Sequence, residues 1–191
     1  MRELQIPFDA ETIMRKKKAI KRQILEEQSV SFIEKKIAIL GGETTEDIKL
    51  ILELFLLNYG IKPSFYESEY NRYYEDGMFP NPELESFSPD LIYLCTCIRN
   101  ITSFPELSDP EEQVREKRDT VKGKFIGLWE TLANRYHCPI IQNNFEYPFF
   151  RLMGNKDASD CHGRVNFVTS LNMDFYDYAQ KHENFYICDV N

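Results

Sequence analysis

Alternating apolar and polar segments divide the chain into the strands and helices of an α/β fold. Short aliphatic and β-branched runs, bounded by glycine, proline, asparagine or charged residues, predict buried strands. Apolar residues recur at helical spacing between these runs. Strands that alternate with helices predict a parallel sheet covered on both faces, in a three-layer α/β/α sandwich of about five strands. The strands are expected at 36–41, 62–67, 90–96, 138–143 and 184–189, and helices at 45–59, 110–137 and 171–182.

The first 30 residues are predicted to form a separate basic helical segment, and residues 31–191 the α/β domain. Ile13, Ile20 and Ile24 fall at helical spacing, but Lys17 interrupts their apolar stripe. We therefore expect this helix to pack only lightly on the domain. Four basic residues of the segment are expected to face solvent: Arg15, Lys16, Lys18 and Arg22.

Composition and charge indicate a folded protein whose surface is mainly acidic. Apolar residues make up 42% of the chain, and no apolar run approaches the ~20 residues needed to cross a bilayer. The N-terminus has no apolar core of a secretory signal, so we expect a cytoplasmic protein without a membrane partner. Residues 1–36 hold 9 Lys+Arg against 6 Asp+Glu, a net +3, and the remainder holds 14 against 25, a net −11. Such an acidic body disfavours nucleic acid as a partner.

Cysteine and histidine spacing argues against a disulfide framework and against a metal site. The five cysteines are odd in number and lie mostly in apolar segments, which indicates reduced thiols. The three histidines, His137, His162 and His182, are scattered without the spacing of metal ligands. The glycine pair 41–42 matches neither dinucleotide nor phosphate-loop patterns. We therefore expect no metal and no cofactor.

Four polar segments follow the predicted strands and should meet at one edge of the sheet, because ligands bind at the carboxyl ends of parallel strands. The segments are 41–45, 97–101 and 142–155, together with Asp189. The candidate site residues in them are Gly42, Glu43, Thr44, Thr45, Asn100, Asn143, Asn144, Glu146, Arg151, Asn155 and Asp189.

These residue types support both a structural and a functional interpretation. In the structural one, Glu43 stabilises a helix N-terminus, Thr44 caps that helix, and Glu146 pairs with Arg151. The asparagines then hydrogen-bond neighbouring backbone in turns. In the functional one, Arg151 holds a phosphate or carboxylate group through its planar guanidinium.

Five stretches of the sequence carry a family resemblance: KKIAILGGETTEDIKLILELFLLNYGIKPSFYESEYNRYYED (35–76), PDLIY (89–93), RNI (99–101), IIQNNFE (140–146) and GNKDASD (154–160). Together they resemble the N-terminal domain of FkbH-like proteins, which has an SGNH-hydrolase-like, flavodoxin-like fold. In that family a following haloacid dehalogenase-like domain, of the IIIC-type subfamily, transfers a glyceryl unit to an acyl carrier protein in polyketide-type biosynthesis. Its D-x-D-x-T signature is absent from these 191 residues. The resemblance therefore implies an acyl carrier protein, or that second domain, as partner.

The SGNH resemblance also predicts which catalytic groups are present and which are missing. Glu43 occupies the place of the serine nucleophile, and Asn100 the place of an oxyanion donor. The family's histidine lies beyond the last strand, where this sequence stops. His137 and His182 are predicted at the opposite edge of the sheet, so only His162 could serve as a base, for Thr44 or Thr45. We expect a non-catalytic recognition or scaffold domain; the alternative is an active SGNH-type esterase with an atypical nucleophile.

Overall fold

The computed structural model of the protein describes residues 2–26 and 31–191. Within them, five strands form one parallel sheet in the order β2-β1-β3-β4-β5. The strands are β1 (Ile33–Gly41), β2 (Ile61–Glu67), β3 (Leu91–Cys95), β4 (Ile140–Asn143) and β5 (Phe185–Cys188). The predicted α/β fold with a five-stranded parallel sheet is thereby confirmed. The chain adds β2 on one side of β1 and the later strands on the other. In sheets of this kind, such a reversal opens a crevice at the carboxyl ends of the two strands where it occurs, here β1 and β3.

In the described part of the chain, six α-helices connect and cover the strands: α1 (Ala10–Glu26), α2 (Glu46–Asn58), α3 (Tyr73–Met78), α4 (Pro82–Phe87), α5 (Glu111–Tyr136) and α6 (Arg164–Lys181). The helices predicted from the sequence do not include α3 or α4. Each of these two helices has only six residues, too few to show a helical period. A side-chain cap nevertheless marks the start of α4, where Asn81 accepts hydrogen bonds from the backbone of Glu83 and Leu84, both at 3.1 Å.

One face of the sheet carries the main hydrophobic core, beneath α3 to α6. Trp129 on α5 and Phe175 on α6 pack edge to face, with ring centroids 4.7 Å apart. Phe125 and Phe145 join them, and each of the four rings is at most 1% exposed. Aromatic rings of this size bury 150–250 Å² each and so contribute most to a core. This face of the sheet is called the closed face below.

The opposite face is built from smaller clusters and is called the α1–α2 face below. Ile37 and Ile39 of β1 pack against α2, and α1 packs on the outer side of α2. Tyr93, Ile141 and Tyr186 stand beside one another in register on β3, β4 and β5. Tyr186 is 53% exposed, whereas the neighbouring Phe185, on the closed face, is 6% exposed.

The N-terminal helix packs more tightly than the sequence predicted. Ile13, Ile20 and Ile24 are each at most 5% exposed, in one cluster with Leu54 and Leu57 of α2. The expectation of light packing was therefore wrong, because α2 presents apolar residues on its outer side as well as toward the sheet.

Lysines flank that contact instead of interrupting it. Lys17 reaches Asp47 at 2.9 Å, and Lys21 reaches Glu53 at 2.7 Å. The four basic residues expected to face solvent, Arg15, Lys16, Lys18 and Arg22, are exposed. The predicted boundary at residue 30 lies outside the described residues. Of the described helices, none combines the length and the apolar character required of a membrane span.

Candidate functional site

Gly42, Asn100 and Asn144 follow β1, β3 and β4 and lie at the carboxyl edge of the sheet, as predicted. Asn100 ends a 3-10 helix, Ile98–Asn100, and its side chain crosses to the loop after β1. Its Nδ2 donates to the carbonyl of Gly42 at 3.1 Å and to Oδ1 of Asn71 at 3.0 Å. Its Oδ1 accepts from the backbone N–H of Cys97 at 2.8 Å. The crevice expected between the carboxyl ends of β1 and β3 is thus filled by the side chain of Asn100.

Glycine is required at position 42 because Asn100 lies against it. A Cβ atom there would stand 2.2 Å from Oδ1 and 2.6 Å from Cγ of Asn100. The space beside Gly42 is therefore filled by a side chain of the protein and is not open to a substrate. The backbone N–H of Gly42 donates to the carbonyl of Cys95 at 2.8 Å. This N–H is already used within the fold.

The hydrogen bonds of Asn100 exhaust its capacity to donate. A side-chain amide carries two N–H donors, and both have acceptors here, on Gly42 and Asn71. An oxyanion hole requires a donor directed at the developing negative charge. Asn100 could supply one only by giving up one of its two bonds.

Glu43 lies beside the cysteine that ends β3 and beside an arginine. Its Oε1 is 3.9 Å from Sγ of Cys95, and its Oε2 is 3.7 Å from the Arg99 guanidinium. Burial raises the pKa of the Cys95 thiol to about 11, so this thiol stays protonated at neutral pH. A carboxylate between a neutral thiol and a guanidinium fits an electrostatic role at the start of α2 better than attack on an ester.

The two threonines after Glu43 have different environments. Thr44 is exposed. Thr45 is 4% exposed, and its hydroxyl donates to Oε1 of Glu67 at 2.6 Å. Thr45 stands at the N-cap position of α2, without a side-chain capping bond. The predicted side-chain cap by Thr44 is therefore wrong, because Thr45 holds the N-cap position and makes no such bond. The Thr45 hydroxyl is buried and bonded to Glu67, so it is not available as a nucleophile.

Glu67 links this part of the edge to α2. Its second oxygen pairs with Lys49. Burial acts to raise the pKa of Glu67, but the hydrogen bonds from Lys49 and Thr45 outweigh it, and the pKa lies below its usual value of 4.5. The carboxylate is therefore ionised at neutral pH and holds the first turn of α2 at the end of β2.

Asn143 and Asn144 fasten the end of β4 to its neighbours. Oδ1 of Asn143 accepts from the backbone N–H of Thr96 at 2.7 Å, and its Nδ2 donates to the Thr96 carbonyl. Nδ2 of Asn144 donates to Oδ1 of Asp189 at 2.7 Å and to the Tyr176 hydroxyl at 2.6 Å. Three of the predicted binding residues, Asn143, Asn144 and Asp189, thus bond to the protein itself.

The predicted ion pair between Glu146 and Arg151 is not formed. Both oxygens of Glu146 instead accept from the backbone N–H of Ile98, at 3.1 and 3.0 Å. Arg151 is exposed and has no ion-pair partner among the described residues. Asn155 is also exposed, in the 3-10 helix Gly154–Lys156. Of the candidate residues, Arg151 is therefore the cation at this edge that stays accessible to an anionic group.

The loop around Arg151 exposes large apolar side chains, and we call residues 147–152 the aromatic loop. Tyr147 is 49% exposed, Phe149 92%, Phe150 74% and Leu152 71%. Contiguous exposed apolar residues are typical of surfaces that contact other molecules. Sequence analysis noted the polar residues of this segment and missed the aromatic ones, although the sequence YPFFRL already shows them.

His162 is held by hydrogen bonds on both ring nitrogens. Nδ1 lies 2.7 Å from Oδ1 of Asp160, and Nε2 lies 2.9 Å from the main-chain carbonyl of Asp109. The Asp109 carbonyl and the Asp160 carboxylate raise the pKa of His162 above 6.5. A base needs a free lone pair directed at its nucleophile. No hydrogen bond in the described part of the chain joins His162 to Thr44 or Thr45.

The other two histidines lie where the sequence predicted them. His137 follows α5 and His182 follows α6, each just before a strand, at the amino edge of the sheet. His182 stacks on Tyr178, with ring centroids 3.7 Å apart. Neither histidine reaches the candidate site at the carboxyl edge.

A cluster that the sequence analysis missed surrounds His162. Sγ of Cys161 lies 3.5 Å from Nδ1 of His162, and Asp160 supplies a carboxylate oxygen to the same group. The three ligand-type atoms all lie within 4.8 Å of one another. Three consecutive metal-ligating residue types, Asp-Cys-His, are the signal in the sequence, whereas the spacing of the three histidines gives none.

Comparisons with known proteins show the fold and no more. No family model matches the sequence, and no curated protein matches it. Among solved structures, the chain is similar to the N-terminal part of BF1531 from Bacteroides fragilis, a part that contains a phosphatase domain complexed with Mg. The TM-score is 0.71 at 18% identity, and the match covers 91% of this chain and 45% of that chain. The chain therefore spans less than half of that structure.

A second solved structure is BF3764 from Bacteroides fragilis NCTC 9343, provisionally named an acylhydrolase. It matches with a TM-score of 0.47 at 16% identity, over 95% of this chain and 77% of that chain. At such identities the similarity concerns the course of the backbone and assigns no activity to this chain.

Proposed function

We propose that this chain is a recognition or scaffold domain of an FkbH-like protein, and that it does not hydrolyse esters by the SGNH mechanism. The five stretches that resemble FkbH-like N-terminal domains include parts of β1, β3 and α3, all of α2, β2 and β4, and loops at the carboxyl edge of the sheet. The solved neighbour BF1531, whose N-terminal part contains a phosphatase domain, has the same fold over 91% of this chain. Both observations support a role next to a phosphatase-type domain of the haloacid dehalogenase superfamily.

The observation that carries the proposal is that both side-chain N–H groups of Asn100 already have acceptors within the protein. In an SGNH hydrolase, this position has to donate to the oxyanion, but here both N–H groups bond to Gly42 and Asn71. Glu43 replaces the serine, and His162, the remaining candidate base, has acceptors at both ring nitrogens. Nucleophile, base and oxyanion donor are each unavailable, so loss of activity does not depend on one residue.

The proposed partner is an acyl carrier protein, contacted through the exposed basic face of α1. Arg15, Lys16, Lys18 and Arg22 face solvent there, while the remainder of the chain is acidic. Acyl carrier proteins are acidic, so a local basic surface would steer one toward this helix. The aromatic loop, at the carboxyl edge, is a separate exposed surface.

An esterase assay tests the loss of catalysis. We expect the purified domain to give no turnover of short-chain p-nitrophenyl esters above a heat-denatured sample, and Glu43→Ser to gain none. A serine without a base stays protonated and weak. Turnover that is lost in Thr44→Ala and in His162→Gln, but kept in Thr120→Ala on the exposed side of α5, would establish the hydrolase alternative instead.

A charge-reversal experiment tests the carrier surface in the full-length protein that contains this domain. The triple variant Lys16→Glu, Lys18→Glu, Arg22→Glu should slow association with the cognate carrier, and the difference should shrink as salt rises. A control triple variant, Lys62→Glu, Lys156→Glu, Lys181→Glu, has the same net charge and changes exposed residues outside α1. If both triple variants slow association equally, α1 is not the docking surface.

A further inference from the structure

We propose that Asp160, Cys161 and His162 form a binding site for one zinc ion or a similar borderline-soft divalent cation. The site lies in the turn before α6 and is independent of the proposed scaffold function. It brings together a carboxylate, a thiol and an imidazole, the three side-chain types that bind zinc in proteins. Each belongs to a described residue that is neither fully buried nor fully exposed.

The distances between the ligand atoms are compatible with one tetrahedral zinc. With zinc–sulfur and zinc–nitrogen bonds of ~2.3 and ~2.0 Å, a thiolate and an imidazole on one ion stand about 3.5 Å apart. Sγ of Cys161 and Nδ1 of His162 are 3.5 Å apart. Oδ1 of Asp160 is 2.7 Å from Nδ1, closer than the ~3.4 Å expected between oxygen and nitrogen ligands of a tetrahedral zinc ion. Oδ1 of Asp160 would have to move away from Nδ1 by less than 1 Å, which a rotation of the side chain allows.

The surroundings of His162 match those of a metal-bound histidine. Its Nε2 lies 2.9 Å from the main-chain carbonyl of Asp109. When Nε2 donates its hydrogen to that carbonyl, the lone pair is on Nδ1, which faces Cys161 and Asp160. Metal-ligating histidines almost always donate their second ring N–H in this way, which fixes both tautomer and ring orientation. The carbonyl orients the ring without being a ligand itself.

Charge and access also permit a cation. The side chains of His162 and Asp160 are 19% and 34% exposed, so an ion can enter from solvent and a water molecule can complete the coordination. Cys161 lines a small cavity of about 170 Å³ together with Arg115 and Arg118. Arg118 pairs with Asp174 at 3.6 Å, which offsets its charge. A thiolate, a carboxylate and a neutral imidazole leave a bound divalent ion locally neutral.

Cobalt substitution tests the site, in tag-free protein from which metal has been removed. We expect one Co²⁺ per chain, with the charge-transfer absorption of a thiolate–cobalt bond, and its displacement by Zn²⁺. Cys161→Ser should abolish the charge-transfer band, and His162→Gln should weaken binding by about tenfold or more. The matched control is Cys138→Ser, at another partly buried cysteine just before β4, which should bind cobalt like the unmodified protein.

A measurement on the unmodified protein covers the case in which a variant does not fold. On addition of Zn²⁺, the NMR resonances of the His162 ring should shift at one equivalent, while those of His137 and His182 stay in place. Absence of a thiolate band, zinc binding that survives both Cys161→Ser and His162→Gln, or shifts at the other histidines alone would each overturn the proposal. The cluster would then be an ion pair between His162 and Asp160.

Discussion

The two faces of the sheet are held in different ways. On the closed face, large aromatic rings from α5, α6 and the β4 loop form one continuous core, with Trp129 and Phe125 each 1% exposed. On the α1–α2 face, α2 covers β1 and β2 with aliphatic side chains, and α1 packs mainly on α2. Toward β5 this face opens, and Tyr186 is half exposed. The difference indicates that the closed face determines whether the domain folds.

Polar contacts supplement the thinner packing of the α1–α2 face. Lys17 pairs with Asp47, Lys21 with Glu53, and Glu67 holds the start of α2 through Thr45. Exposed ion pairs contribute about 0–1 kcal/mol each, less than one buried aliphatic side chain. The α1–α2 face should therefore loosen before the closed face does.

The largest expected effect is Trp129→Ala. It removes the ring that contacts Phe175 and Phe185, and it leaves Oε1 of the buried Gln142, now 3.1 Å from the indole nitrogen, without that donor. We expect a loss of about 3–5 kcal/mol in the free energy of unfolding. Urea denaturation followed by circular dichroism measures it, because the variant has no tryptophan left for fluorescence.

Trp129→Phe serves as the control and should lose less, since most of the volume is kept. If Trp129→Ala costs less than the change on α1 described next, the closed face does not dominate stability.

The second effect is expected on α1, where Ile20→Ala should cost about 2–3 kcal/mol. Ile20 is 3% exposed between α1 and α2. Because α1 packs mainly on α2, the loss should appear first as local opening of α1. Hydrogen exchange should speed up for the amides of α1 while those of β1 and β3 stay protected.

Leu25→Ala, on the same helix at a side chain that is 45% exposed, is the control and should change little. Equal acceleration of exchange in α1 and in the central strands would show that α1 does not open on its own.

The inner strands β1 and β3 could be predicted from sequence because their aliphatic runs are apolar on both faces of the sheet. Runs such as IAIL at 37–40 and LIYL at 91–94 are apolar throughout and do not alternate between apolar and polar residues, which is typical of a buried parallel strand. The structure confirms both as strands. The packing of α1 could not be predicted in the same way. Its apolar stripe is narrow, and its burial depends on Leu54 and Leu57, which the sequence of α1 itself does not reveal.

The sequence predicted which residues lie at the carboxyl edge of the sheet, but it did not predict the hydrogen bonds that their side chains make. The rule that parallel strands end together placed Gly42, Asn100 and Asn144 at one edge. The partners lie far apart in sequence: Asn100 bonds to Asn71, 29 residues away, and Glu146 to the backbone of Ile98, 48 residues away. Local patterns favoured Arg151 as the partner of Glu146, because it is near in sequence.

A smaller effect, with a defined pH dependence, is expected for Glu67→Gln. The pKa of Glu67 is lowered in the folded protein, so its carboxylate stabilises the fold above the ordinary pKa of 4.5, and this contribution is lost as pH falls through the folded pKa. The unmodified protein should be more stable than the variant by about 1 kcal/mol at pH 7. The gap should close as pH falls from about 4.5.

Urea denaturation of both proteins over a pH series measures this gap, because other titrating groups cancel in the difference. Glu34→Gln is the control, since Glu34 is 80% exposed and its ion pair with Lys62, at 3.5 Å, lies on the surface. A gap for Glu67→Gln that stays constant down to pH 3 would show that the carboxylate charge does not hold α2.

The smallest effect is expected at Tyr186, and it is the most direct test of the open end of the α1–α2 face. Tyr186 and Phe185 are adjacent on β5 and point to opposite faces, one 53% and the other 6% exposed. Tyr186→Thr keeps a residue suited to a strand and should change the free energy of unfolding by no more than about 0.5 kcal/mol. Phe185→Ala should cost about 3–5 kcal/mol, because it opens a cavity beside Trp129. Urea denaturation at several protein concentrations compares the two variants. A cost for Tyr186→Thr that approaches that of Phe185→Ala and grows with protein concentration would mean that a second copy of the chain covers this face in solution.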